Sequence, residues 1–120
     1  LLEHDGKTML VQGSAGFVPG RLRGRRADVV FLGTAGLGTR EEDYRDAYWR
    51  EVVTAVGARR VIGIHWDDFT RPLDEPLVPL SGLLDDVAVS FDFFIARAAA
   101  EKIDFKLAGA WTKLDPFAGL

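Results

Sequence analysis

The chain contains no cysteine. Disulfides, thiolate metal sites and a cysteine nucleophile are therefore excluded. Histidine is nearly as scarce: the 120 residues hold only two, His4 and His65. A zinc site typically takes three or four protein ligands. Histidine and cysteine alone cannot build one here, so any metal must use carboxylates or ligands from outside the chain. Long apolar runs are missing too. Nothing approaches the roughly 18 residues of a membrane-spanning helix. There is no excess of positive charge, since the formal net charge is −3. That balance offers no global attraction to nucleic acid or to acidic membranes. No signal peptide is visible, which makes the cytoplasm the default expectation. The compartment stays open, because "LLEHDGKTMLVQG" starts in mid-element without methionine. The expectation is that these residues begin inside a larger protein.

What is present suits a folded domain. Hydrophobic residues make up 48% and charged residues 28%, a globular rather than a disordered balance. One domain, or part of one, is expected over residues 1–120. A β-hairpin is predicted first, with strands Leu1–Glu3 and Thr8–Gln12 and the turn pair Asp5-Gly6. A loop follows through "GSAGFVPGRLRGRR". Asp28–Leu32 reads as a strand buried on both faces. Thr39 lies three residues before Glu42, the spacing of a capping box, and opens a predicted helix to Val56. Acids fill the first turn of that helix, and Tyr48, Trp49, Val52, Val53 and Val56 form its apolar stripe. Gly57 is the expected stop. Arg60–Trp66 is the next predicted strand. Leu83–Lys102 has helical spacing of apolar residues, despite the β-propensity of "VAVSF". Short strands at Asp104–Leu107 and Ala110–Leu114 are expected to close the chain.

Strand, helix and strand between residues 28 and 66 make a βαβ unit with a right-handed crossover. Ligands of open α/β sheets gather beyond the carboxyl ends of the strands. Three such ends carry "GSAG", "GTAGLG" and "HWDDFT". His65 is a candidate metal ligand on a rigid strand end. A hydrogen-bonded structural histidine explains the same spacing. Asp67 could bind a metal, act as a general base or orient His65, and Asp68 reads as a solvated turn residue. "GSAGFVPG" lacks the lysine and the glycine spacing of a P-loop. A triad of Ser14, His65 and Asp67 lacks the nucleophile-elbow pattern. Arg21, Arg23, Arg25 and Arg26 read as a charged surface loop without interleaved aromatics, which weakens nucleic-acid binding further. Trp66 is a candidate pocket wall, and Tyr48 and Trp49 are expected in the core.

The order "EHDGKTMLVQGSAGF", "ADVVFLG", a helix, then "RRVIGIHWDDF" resembles the second half of metallo-β-lactamase-fold hydrolases. The nearest likeness is to the branch around the ascorbate-phosphate lactonases. It covers residues 1 to about 72, and the last helix and the "AWTKLDPF" tail fit more loosely. The resemblance implies an α/β fold forming half of an αββα sandwich: a mixed sheet with a βαβ unit and helices on one face. It implies a hydrolase acting on an ester, lactone, amide or phosphoester of a small-molecule substrate. One or two zinc ions, or iron or manganese, would activate a water as nucleophile. His65 falls on the family's final histidine ligand. Ser14 falls where the family usually carries a bridging acid; a neutral hydroxyl cannot bridge two cations, so a two-metal site is in doubt. Asp67 would support the site, with Trp66 and Gly36 of "GTAGLG" shaping the pocket. The family's H-x-H-x-D-H motif is absent from these residues. The resemblance therefore implies a partner: the missing N-terminal half, or another copy of the chain. The competing expectation is a non-catalytic binding or assembly module on the same scaffold.

Overall fold

A computed structural model describes residues 1–72 and 74–120. Among these residues the fold is α/β: one five-stranded mixed sheet and two α-helices. Strands β1 (Leu2–His4) and β2 (Lys7–Gln12) form the expected hairpin, with Leu2 opposite Met9. Asp5 and Gly6 both have positive φ, 49° and 71°, as a tight primed hairpin turn requires. Strands β3 (Val29–Gly33), β4 (Arg60–Ile64) and β5 (Asp104–Leu107) then add in parallel, in the order β1-β2-β3-β4-β5. Helix α1 (Glu42–Val52) connects β3 to β4, and α2 (Val87–Glu101) connects β4 to β5.

Both helices cover the same face. Leu10, Val30 and Val61 stand in one row across β2, β3 and β4. They share a core with Tyr48, Trp49, Val52 and Val53 from the first crossover and Phe94 and Ala98 from the second. Trp49 and Phe94 stack with ring centres 5.7 Å apart, joining the helices. Each buried valine, leucine or phenylalanine of this set contributes roughly 1.5–3 kcal/mol.

The second face of the sheet is handled differently. Arg60 is 4% exposed and lies on that face. Its Nε donates to Asp104 at 2.7 Å, and its two terminal nitrogens donate to the carbonyls of Pro116 and Ala118 at 2.7 and 2.9 Å. Phe117 sits under Lys7, 5.3 Å from ring centre to Nζ. The last residues thus strap part of this face, while Val11 on the same face remains 51% exposed.

Several expected boundaries move. The predicted strand Ala110–Leu114 does not form; Trp111 has φ 58°, a left-handed conformation that breaks an extended run. Thr39 does not cap α1. Its hydroxyl donates to the Gly36 carbonyl, and the helix starts after Glu41 without a side-chain cap. A short 3-10 turn, Thr54–Val56, follows α1 and ends at Gly57 with φ 66°, the expected stop. Helix α2 starts at Val87 rather than Leu83. Asp86 caps it by accepting from the Val89 N–H, and Leu83 is left 95% exposed. Strand β4 ends at Ile64, two residues short of Trp66.

Candidate functional site

The carboxyl ends of β2, β3 and β4 lie side by side, because the three strands are parallel and adjacent. With roughly 4.8 Å between neighbouring strands, the backbones leading to Ser14 and His65 stand about 10 Å apart. His4 lies at the other edge of the sheet, in the hairpin, paired with Asp5 at 3.3 Å.

The Ser14 loop is tied down through its carbonyls. Gln12 Nε2 donates to Ser14 and Gly16 at 2.9 and 2.7 Å. Tyr44 donates to Ala15 at 3.0 Å. The Tyr48 hydroxyl lies 2.8 Å from the Gly33 carbonyl and 3.1 Å from that of Ser14. Burial, with Tyr44 nearby, pushes the Tyr48 hydroxyl far above the ordinary phenol range, so it stays a proton donor. Gly33 is needed for this close approach: a Cβ there would stand 2.8 Å from the Gln12 carbonyl oxygen. Ser14 itself is exposed. Among the described residues its hydroxyl makes no hydrogen bond to His65, so no triad is assembled.

The "GTAGLG" loop does cradle an anion, and the anion is the protein's own. Asp85 is 1% exposed. One of its oxygens accepts from Gly36 N–H at 2.9 Å and the other from Gly38 N–H at 2.8 Å. Gly38 passes so close to Asp86 that a Cβ would collide with the Asp86 carbonyl. Gly36, expected to shape a pocket, has its N–H committed to this tie. Sequence reasoning missed Asp85. Its only local signal was an acid pair just before an apolar helical run, far along the chain from the loop it holds.

His65 leaves β4 in the left-handed region, with φ 56°. That conformation costs a non-glycine residue roughly 1–3 kcal/mol and persists only where its surroundings impose it. Its surroundings do constrain it: the preceding Ile64 carbonyl accepts from the Thr34 N–H at 3.0 Å, and Leu80 N–H donates to the Trp66 carbonyl at 3.0 Å. The imidazole is exposed, with Phe69 beside it at 6.1 Å between ring centres. Neither His65 nor the half-buried Asp67 carboxylate has a hydrogen-bond partner among the described residues. Asp67 is held through its backbone, in a bridge to Pro79. Asp68 behaves as a turn residue. Hydrogen bonds from the Thr70 hydroxyl and N–H hold its carboxyl below the usual range. Trp66 is half-buried, edge-on to Phe91 at 5.9 Å.

Metal fit can be tested on the donors. Among the described residues no three His, Cys, Asp or Glu side chains converge as a metal site would need. His65, Asp67 and the neutral Ser14 hydroxyl do not complete a zinc, iron or manganese centre by themselves. The arginines at 21, 23, 25 and 26 are exposed and, among the described residues, make no ion pair. The first three sit on overlapping tight turns, pinned to α1 by Glu51 accepting from Gly20 N–H at 2.7 Å. No helix among the described residues is long and apolar enough to cross a membrane. No family model, curated protein or solved structure matches the chain.

Proposed function

We propose that the chain forms one half of a metal-dependent hydrolase of the metallo-β-lactamase fold, with its remaining ligands supplied by residues outside these 120. The carrying observation is His65. It is an exposed imidazole without a hydrogen-bond partner among the described residues, held in a costly backbone conformation at the carboxyl end of a central parallel strand. Strain of this kind concentrates at functional sites. The "GTAGLG" loop and, beyond it, the Ser14 loop follow the neighbouring strands on the same edge. In this reading His65 is the chain's metal ligand, Asp67 supports it, and Ser14 lies near the metal without bridging two ions. Zinc is the favoured metal, with iron or manganese as alternatives, and the partner is a small-molecule substrate. The missing half would cover the part of the second sheet face left open around Val11. Metal analysis of the protein carrying this chain tests the reading. His65→Ala should lose at least one equivalent of metal and the hydrolytic activity with it. Unchanged stoichiometry and activity would remove His65 from the site.

A second reading, an assembly module, is favoured by one observation. The second sheet face exposes Val11 and Leu2, 51% and 60% accessible, beside a tail strap that covers only part of it. A stable, metal-free oligomer of the chain by size-exclusion chromatography with light scattering would support this reading over the enzymatic one.

A further inference from the structure

Beside the candidate site lies a groove of about 500 Å³. Trp66 forms one wall, Pro76 and Leu77 a second, and Leu107 with the segment 108–110 the third. No ionisable side chain lines it. Its size falls in the range of small-molecule sites. The Trp66 wall is held in place: Leu80 N–H bonds to the Trp66 carbonyl, Asp68 N–H bonds to that of Val78 at 2.9 Å, and Phe91 supports the ring. Beyond Leu107 the third wall is alanine and glycine, so the space is left unfilled by the protein. The Trp66 indole N–H has no acceptor among the described residues. Trp66 follows His65 directly in the chain, so one wall of the groove is the residue next to the candidate ligand.

We infer that the substrate carries an uncharged apolar moiety, of aliphatic-amide or aliphatic-ester type, that lies in this groove and accepts a hydrogen bond from the Trp66 indole. The inference rests on the hydrolase reading above, which places the reacting bond at His65. A charged group in the groove would lose water and find no counter-charge, which the lining disfavours strongly. A neutral chain loses nothing and gains burial. One carbonyl at its end can accept from the Trp66 indole N–H.

The test uses neutral probes and the protein labelled with 5-fluorotryptophan. The chain has three tryptophans, Trp49, Trp66 and Trp111. The Trp66 resonance is assigned by its loss in Trp66→Phe. Butanamide, pentanamide and hexanamide should shift that resonance saturably and leave that of the core Trp49 in place. Affinity should rise about two- to fourfold per methylene, the upper figure being ~0.8 kcal/mol per buried CH₂. Hexanoate and hexylammonium should bind at least about tenfold more weakly than hexanamide. Ala110→Phe, at an exposed position, should fill the groove and abolish the shift. A flat series, equal binding of hexanoate, or shifts unaffected by Ala110→Phe would overturn the inference. So would a Trp66 shift that follows protein concentration rather than probe, the mark of a second copy in the groove. None of these readouts needs metal or turnover. A failed groove with normal metal loss in His65→Ala rejects this inference alone. Intact probe binding with no metal change rejects the hydrolase reading.

Discussion

Replacing Asp85 should loosen the edge of the sheet that carries the candidate site. Its carboxylate is buried and takes two backbone N–H groups, those of Gly36 and Gly38. A hydrogen bond to a charged group contributes roughly 1.5–3 kcal/mol. Both glycines are only half-buried, so water can replace part of what is lost. For Asp85→Ala the expected loss is therefore about 3 kcal/mol, near the lower end of the two-bond sum. That is large against a domain stability of roughly 5–15 kcal/mol. Asp85→Asn should cost about half as much, since the amide oxygen keeps one bond while its NH₂ faces the other donor. Urea unfolding at constant m value measures both. Amide exchange at Gly36 and Gly38 should accelerate in step. A loss below about 0.5 kcal/mol in Asp85→Ala, with exchange unchanged, would refute the claim that this carboxylate anchors the loop. Equal losses in the two variants would refute the role of its charge.

Tyr48→Phe should cost about 1–2 kcal/mol in the same assay, because the buried Gly33 carbonyl loses its side-chain donor. Gly38→Ala should cost more than about 2 kcal/mol, since the collision is with main chain, whereas Gly13→Ala meets nothing within 4 Å and should cost under about 0.5 kcal/mol. Stability should also fall in acid through two carboxylates. The Thr8 hydroxyl, with the Thr8 N–H, holds Asp28 below its usual value of 3.8 in spite of partial burial. For Asp104 burial pushes upward, but hydrogen bonds and charge from Arg60 and Lys106 together outweigh it and leave the group lowered. A depressed folded value stabilises above the unfolded value and is lost as pH falls through the folded one, so the loss belongs below about pH 4. Asp28→Asn and Asp104→Asn should each flatten the pH dependence of urea unfolding there; an unchanged slope in both would contradict the assignment.

The parts of the fold legible in the sequence were those set by near neighbours. Asp5-Gly6 named its hairpin turn, and the spacing of Tyr48, Trp49 and Val52 named the buried side of α1. Alternation of strand, helix and strand gave the parallel sheet and the edge where His65 sits. What escaped was decided by distant residues. Thr39 has the spacing of a cap, but its hydroxyl turns to Gly36, in a loop shaped by Asp85 more than 40 residues away. Ala110–Leu114 has strand-like composition, yet the tail is drawn under the second face, where the carbonyls of Pro116 and Ala118 meet Arg60. The turn of His65 out of the strand was not legible either, since "VIGIHW" reads as continuous β. The groove beside Trp66 depends on Leu107 and the segment after it meeting Pro76 and Leu77, a meeting that no local pattern encodes.

One substitution tests the central claim most directly, because it separates function from folding. His65→Gly removes the imidazole and suits the left-handed backbone. If the strain at His65 is kept for a ligand, the metal-stripped variant should be more stable than the metal-stripped parent by about 1 kcal/mol. As isolated, the same variant should contain less metal by at least one equivalent. A variant that keeps its full metal content, or that is destabilised without metal, would contradict the account and return His65 to a structural role.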